Sequence, residues 1–214
     1  MPAKHMTGAA IVLALFAVVG TGMVAATYEG TKDRIAANER QALLDSLFTI
    51  VPQDRLDNDI VTDNLTVTDQ KMLGTPKPVT VYRARKDGKP VAAVLAPVAP
   101  DGYSGNIRLL VGINHDGSLA GVRVIAHKET PGLGDPIEEQ KSDWILGFDG
   151  KSLAEPEESG WAVKKDGGIF DQFTGATITP RAVVNEVHRS LQYFNAHRDE
   201  LFAIEQVEEA NKDG

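Results

Sequence analysis

The hydrophobic pattern opens on an uncharged, almost wholly apolar run from Gly8 to Thr27 (GAAIVLALFAVVGTGMVAAT). A helix of about 20 residues at 1.5 Å rise spans roughly 30 Å, the depth of a bilayer's hydrocarbon core. The run therefore predicts a single transmembrane helix over 8–27, preceded by a short segment, 1–7. A cleaved signal peptide competes with this reading: Lys4 would be its charged start and Val24-Ala25-Ala26 its small-residue cleavage site. Signal cores run shorter, about 7–15 residues, which favours the retained anchor. Charge does not orient the span, because Lys4 lies on one side and Lys32, Arg34 and Arg40 on the other.

Beyond the span, Ile35, Leu43, Leu44, Leu47, Phe48 and Val51 recur near helical spacing until Pro52 forbids continuation. They predict an amphipathic helix over 31–51, and the Asp-, Asn- and Thr-rich stretch 53–79 reads as irregular connection, so 28–78 forms one linking region. From Val79 the period changes. Val79–Arg85, Val91–Ala96, Ile107–Ile113 and Leu119–Ala126 are rich in β-branched residues, with Asp87-Gly88 and Asp116-Gly117 as hairpin signals between two pairs of them. An antiparallel sheet follows, then a helix over Ile137–Phe148 whose Trp144 and Phe148 pack on it. Near the end, Thr179 reads as an N-cap with Pro180 in the first turn, and Val183, Val184, Val187, Leu191 and Phe194 form one apolar stripe. The expected fold is α+β, a single antiparallel-containing sheet flanked by helices and tethered by one N-terminal transmembrane helix. Its folded domain covers 79–198, and 199–214 is an acidic tail that keeps Leu201, Phe202, Ile204 and Val207 and frays.

Composition narrows the function. Of 214 residues 42% are hydrophobic, enough for a packed core of about one domain beyond the span. The net charge of −8 repels phosphate backbones and excludes a nucleic-acid partner read through a basic face. With no cysteine, the chain supplies no disulfide, thiolate nucleophile, Cys-ligated zinc or iron-sulfur cluster of its own, so redox chemistry here must use another cofactor.

The segment that carries chemistry is Asp171-Gln-Phe-Thr-Gly-Ala-Thr177, which ends just before the last long helix. Free N–H groups and the helix dipole at that position suit a phosphate. Gly175 and Ala176 let the chain turn and a bulky group approach Thr177. An ordinary turn leading into a capped helix fits the same residues. His127 and Glu129 lack a third ligand in local spacing, so no metal site is assigned. His115, His188 and His197 read as solvated or partner-facing.

Asp171, Thr174, Gly175, Ala176 and Thr177 resemble the Asp-x-x-Ser/Thr-Gly-Ala-Thr flavinylation motif of the FMN-binding subunits of Rnf and sodium-translocating NADH:quinone oxidoreductase complexes. His127-Lys-Glu-Thr-Pro-Gly-Leu-Gly134 resembles a second segment of the same subunits. With Pro100-Asp-Gly-Tyr-Ser-Gly105, Trp144 and Gly167-Gly-Ile-Phe-Asp171, the likeness extends over roughly 79–191. Compact length and a single span make it nearest to the Rnf G-type subunits.

The resemblance implies FMN esterified through its phosphate to the Thr177 hydroxyl by a separate flavin transferase that uses FAD. It also implies a cytoplasmic N-terminus, an FMN domain on the periplasmic side of the inner membrane, and partners in the other subunits of the complex. Electron transfer between NADH and ferredoxin would be coupled there to Na⁺ or H⁺ translocation, with no turnover by this chain alone and no catalytic residue in it. Glu129, Thr130, Gly132, Leu133 and Gly134 are expected to contact ring or ribityl atoms, and Asp171 to position the motif. Trp144 and Phe148 are ring contacts or, more simply, core. Three other readings stay open: the equivalent quinone-reductase subunit, a non-redox anchor or assembly module, and a hydrolase with Thr177 as nucleophile, for which no base is placed.

Overall fold

The computed structural model describes residues 2–203, and two compact units divide the chain after Asp45. In the first, the expected span and the expected amphipathic helix are one element, α1 (Pro2–Ile50). No proline interrupts it between Pro2 and Pro52, and its glycines weaken a helix without breaking it. Ile35 is exposed. Among the described residues, α1 is long and apolar enough to cross a membrane.

The second unit starts with the last turn of α1, where Leu47, Ile50 and Val51 are buried. Its centre is an all-antiparallel sheet of β1 (Asn64–Val67), β2 (Val79–Lys86), β3 (Lys89–Leu95), β4 (Val98–Gly102), β5 (Gly105–Asn114) and β6 (Leu119–Ala126). β1 pairs with β2 and β2 with β3. β3 and β4 share one edge of β5: Leu95 pairs with Val111 and Val98 with Arg108. They behave as one long strand kinked at Ala96-Pro97, where the missing proline N–H breaks the ladder. β6 takes the other edge of β5. The Asp87-Gly88 hairpin forms as expected, with positive φ at both residues (51° and 72°).

The alternation of β5 sets two faces. Ile107, Leu109, Val111 and Ile113 join the core beneath α3 (Ile178–Phe202) with Val183, Val184, Val187, Leu191 and Phe194. Asn106, Arg108, Leu110 and Gly112 point the other way. The lack of a side chain at Gly112 is what admits Ile50, because a Cβ there would lie 2.1 Å from Ile50 Cγ2. At its far end α3 is held by two arginines of β2: Arg83 Nη1 donates to the Ala203 carbonyl (3.0 Å) and Arg85 Nη2 to that of Phe202 (3.0 Å). Those carbonyls lack intrahelical partners, so the cations complement the helix end.

Several expectations are corrected. The stretch 53–79 is not wholly irregular: it contains β1 and a short helix, α2 (Gln70–Leu73), capped by Asp69, whose carboxylate accepts from Met72 N–H at 2.9 Å. β4 escaped detection because Pro97 and Pro100 hide its alternation. The helix expected over Ile137–Phe148 is instead two 3₁₀ turns, Asp135–Ile137 and Asp143–Phe148. Ser142 between them is extended, and its hydroxyl accepts from Trp144 N–H at 3.1 Å, a local bond that competes with helix continuation. α3 runs to Phe202, with Leu201 and Phe202 buried, so the tail does not begin at 199; Ile204 and Val207 lie outside the described residues.

Candidate functional site

Residues of both motifs converge on one cleft of about 480 Å³, a size typical of small-ligand sites. One wall is Glu129, Thr130, Leu133 and Gly134; the opposite wall is Gly175 to Thr179; Tyr103 closes the rim. Gly132, Asp171 and Thr174 do not line it. Asp171 pairs instead with Lys164 (2.6 Å), and its carbonyl accepts from Trp144 Nε1 (2.7 Å), which fixes the approach to the turn.

The turn itself is closed by Ala176 N–H donating to the Phe173 carbonyl at 3.1 Å, with Gly175 at φ +80°. A residue with a Cβ is strained in that conformation. Thr177 follows at the N-cap position of α3, with φ −80° and ψ −27°, and its side chain makes no capping bond. Its hydroxyl is thus left for another partner. The N–H groups of Ile178 and Thr179, in a first turn without intrahelical acceptors, surround it with positive dipole. Thr179, expected as the N-cap, lies inside the helix and is fully buried. Its hydroxyl donates to Glu129 Oε2 in a short hydrogen bond.

Glu129 is only 4% exposed, and Ser104 N–H donates to its other oxygen at 2.9 Å. A buried carboxylate needs such donors. Gly134 permits the arrangement, since a Cβ there would approach Glu129 Cβ to 2.9 Å and Thr179 Oγ1 to 3.0 Å. The loop closes on itself through Gly134 N–H to the Thr130 carbonyl (3.0 Å) and Gly132 N–H to Asp135 Oδ1 (2.6 Å). Outside the cleft, His127 Nδ1 accepts from Glu129 N–H (3.0 Å) while Nε2 lies 2.6 Å from Glu138.

Trp144 and Phe148 belong to the core rather than the cleft. Phe148 is fully buried against Phe170 and Trp161, and Trp144 meets Phe148 and Phe173 edge-on. They support the motif turn from behind. On the far side Arg181, in the first turns of α3, grips Asp166 with two bonds (2.7 and 3.0 Å), which holds the Asp166 carboxyl below its ordinary range.

The cleft fits a planar, largely apolar group bearing a phosphate. Tyr103, Leu133 and Ile178 are large hydrophobic side chains left 68%, 46% and 44% exposed around it, and a ring would cover them. Tyr103, Ile178 and Thr179 were not named as site residues from sequence, Thr179 having been read only as an N-cap. The Pro100–Gly105 segment was the available signal for Tyr103, and no pattern marked Ile178 or the inward turn of Thr179.

Fold and cleft together define an FMN-binding domain, and the family model described as "FMN-binding domain" matches residues 102–192. A second, the RnfG N-terminal region, matches residues 1–50. The chain is 51% identical over 204 residues to the G-type subunit of the ion-translocating oxidoreductase complex of Pseudomonas aeruginosa, covering 95% of each protein. It is 50% identical over 193 residues to that of Pseudoalteromonas atlantica (90% of each) and 48% over 191 to that of Vibrio cholerae (89% and 91%). The chain belongs to this family, the G-type subunits of ion-translocating oxidoreductase complexes.

Proposed function

We propose that Thr177 carries FMN as a phosphate ester and that the chain serves as the electron-relay subunit of an Rnf-type complex, which couples electron transfer between NADH and ferredoxin to Na⁺ or H⁺ translocation. The observation that carries this reading is the Thr177 hydroxyl: it stands at the N-terminus of α3, unused as a cap, at the mouth of an apolar-rimmed cleft. FMN, when bound, supplies the acceptance and release of electrons. The chain's own residues bind and position. The first-turn N–H groups neutralise phosphate charge, Gly175 shapes the approach, and Leu133, Tyr103 and Ile178 exclude water from the ring. Glu129 and Thr179 lock the two walls together, while Thr130 and the backbone of 132–134 offer polar contacts to ring or ribityl atoms.

Attachment needs a separate transferase, because a threonine hydroxyl is a weak nucleophile and the carboxylate that lines the cleft, Glu129, is already engaged by the Thr179 hydroxyl and the Ser104 N–H. With FAD as donor, the Thr177 Oγ–phosphorus bond forms, the pyrophosphate bond breaks, AMP leaves and the hydroxyl proton passes to the transferase. Asp171 and Thr174, on the exposed side of the turn, face outward where that enzyme reads the motif. The anchor α1 holds the domain at the inner membrane, on its periplasmic side, beside the other subunits.

Intact mass of the native membrane-extracted chain, with peptide mapping around Thr177, tests this. FMN minus water on Thr177, absent from Thr177→Ala, is the expected result. An unmodified peptide from cells that possess the transferase would overturn it in favour of a non-redox anchor.

A further inference from the structure

A second groove of about 470 Å³ abuts the flavin cleft. It is lined by Val79, Val98 and Ala126 and flanked by Lys77, Arg108 and Lys128. Among its described lining residues there is no carboxylate, and none of the three cations is ion-paired or hydrogen-bonded through its side chain. All three are exposed. His127 also lines the groove, with its Nε2 2.6 Å from Glu138 Oε1. In a chain of net charge −8, an unpaired cationic cluster stands out against an acidic background.

The groove and the cleft share one segment. His127 and Lys128 line the first, Glu129 and Thr130 the second. The two are therefore neighbours along the 127–130 segment: apolar Tyr103, Leu133 and Ile178 line or rim the cleft, and the cations flank the groove. Apolar centre and charged rim are the anatomy of a protein interface, and opposite charge on a rim orients a partner and raises its association rate.

The geometry points to Lys77, Arg108 and Lys128 as the docking surface for an acidic patch on the subunit that exchanges electrons with the group in the adjacent cleft. This rests on the relay reading above. The contiguity favours a redox partner over an anionic lipid surface, because only a partner held at the 127–130 segment gains from lying beside the cleft.

Carbodiimide cross-linking of the intact complex in native membranes, followed by peptide mass spectrometry, tests the surface directly. Lys77 and Lys128 should join to Asp or Glu side chains of one other subunit. In parallel, the Lys77→Gln/Arg108→Gln/Lys128→Gln variant should retain its flavin mass. Its flavin reduction in the assembled complex should slow on the order of tenfold at low salt and lose most of its ionic-strength dependence.

Three results would overturn the proposal. One is wild-type rate and salt dependence in the triple variant. Another is a variant that reaches the membrane without flavin, which places the groove in maturation by the transferase. The third is no inter-subunit cross-link at these two lysines while others of the chain cross-link, with the variant losing affinity for anionic vesicles. If native Thr177 carries no flavin, the relay reading fails on its own, and the cross-links then stand or fall separately.

Discussion

Thr179 on the first turn of α3 donates its hydroxyl to Glu129, fifty residues earlier in the chain, and this single buried bond joins the two walls of the cleft. Thr179→Val keeps the shape and removes the donor. Hydrogen bonds to charged groups contribute about 1.5–3 kcal/mol, so thermal unfolding of the variant should begin several degrees lower. Flavin content should fall with it, and an unchanged melting curve would show that the bond contributes nothing.

Gly175 demands a different test. A Cβ there meets nothing closer than Leu133 Cδ2 at 3.6 Å, so Gly175→Ala is penalised by its φ of +80° rather than by crowding. A left-handed alanine costs about 1–2 kcal/mol, which the exposed turn relieves by changing conformation. The expected signature is near-normal global stability with markedly reduced flavin on Thr177, read by mass. Full loading would mean that the turn geometry is dispensable.

Glu186 gives a pH dependence. It is fully buried on α3, and Oε1 has no partner in the protein. Burial pushes its carboxyl up to about 7, against the pull of Arg189 at 2.5 Å. An acid whose folded value lies above its unfolded value destabilises the fold as pH rises between the two, here from the ordinary carboxylate range to about 7. The loss should total about 3 kcal/mol. Denaturant titration should find the protein less stable at pH 8 than at pH 5, and Glu186→Gln should flatten that slope. A slope retained in the variant would assign the effect elsewhere.

Ile50→Ala removes a side chain that occupies the space left by Gly112. Large-to-small changes in a core cost about 2–5 kcal/mol, and this one should destabilise the flavin domain although residue 50 belongs to the long N-terminal helix. Chemical denaturation of the detergent-extracted protein would read it.

Much of this was legible in advance. The four strands rich in β-branched residues and the α3 stripe were visible because alternation and helical periodicity report burial on one face. The cleft was legible through short motifs whose members prove to be neighbours. What stayed hidden was set by tertiary context: β4 follows Pro97, contains Pro100 and gains its pairing from β5. Ser142 splits an apparently continuous helix through its own hydroxyl, and Thr179 looks like a cap until Glu129 draws its side chain inward. Asp171 shows the converse, a motif member whose sequence position gave no sign that it would face Lys164.

The seat of Ile50 against Gly112 has a practical reach. A shortened, water-soluble form designed by cutting at Pro52, where the helical pattern ends, would discard Leu47, Ile50 and Val51 and leave an open apolar trough on β5. Such a fragment would stick to itself. A cut just ahead of Ser46 keeps the plug in place, so where the expressed piece starts decides whether a bench-scale flavoprotein is monodisperse.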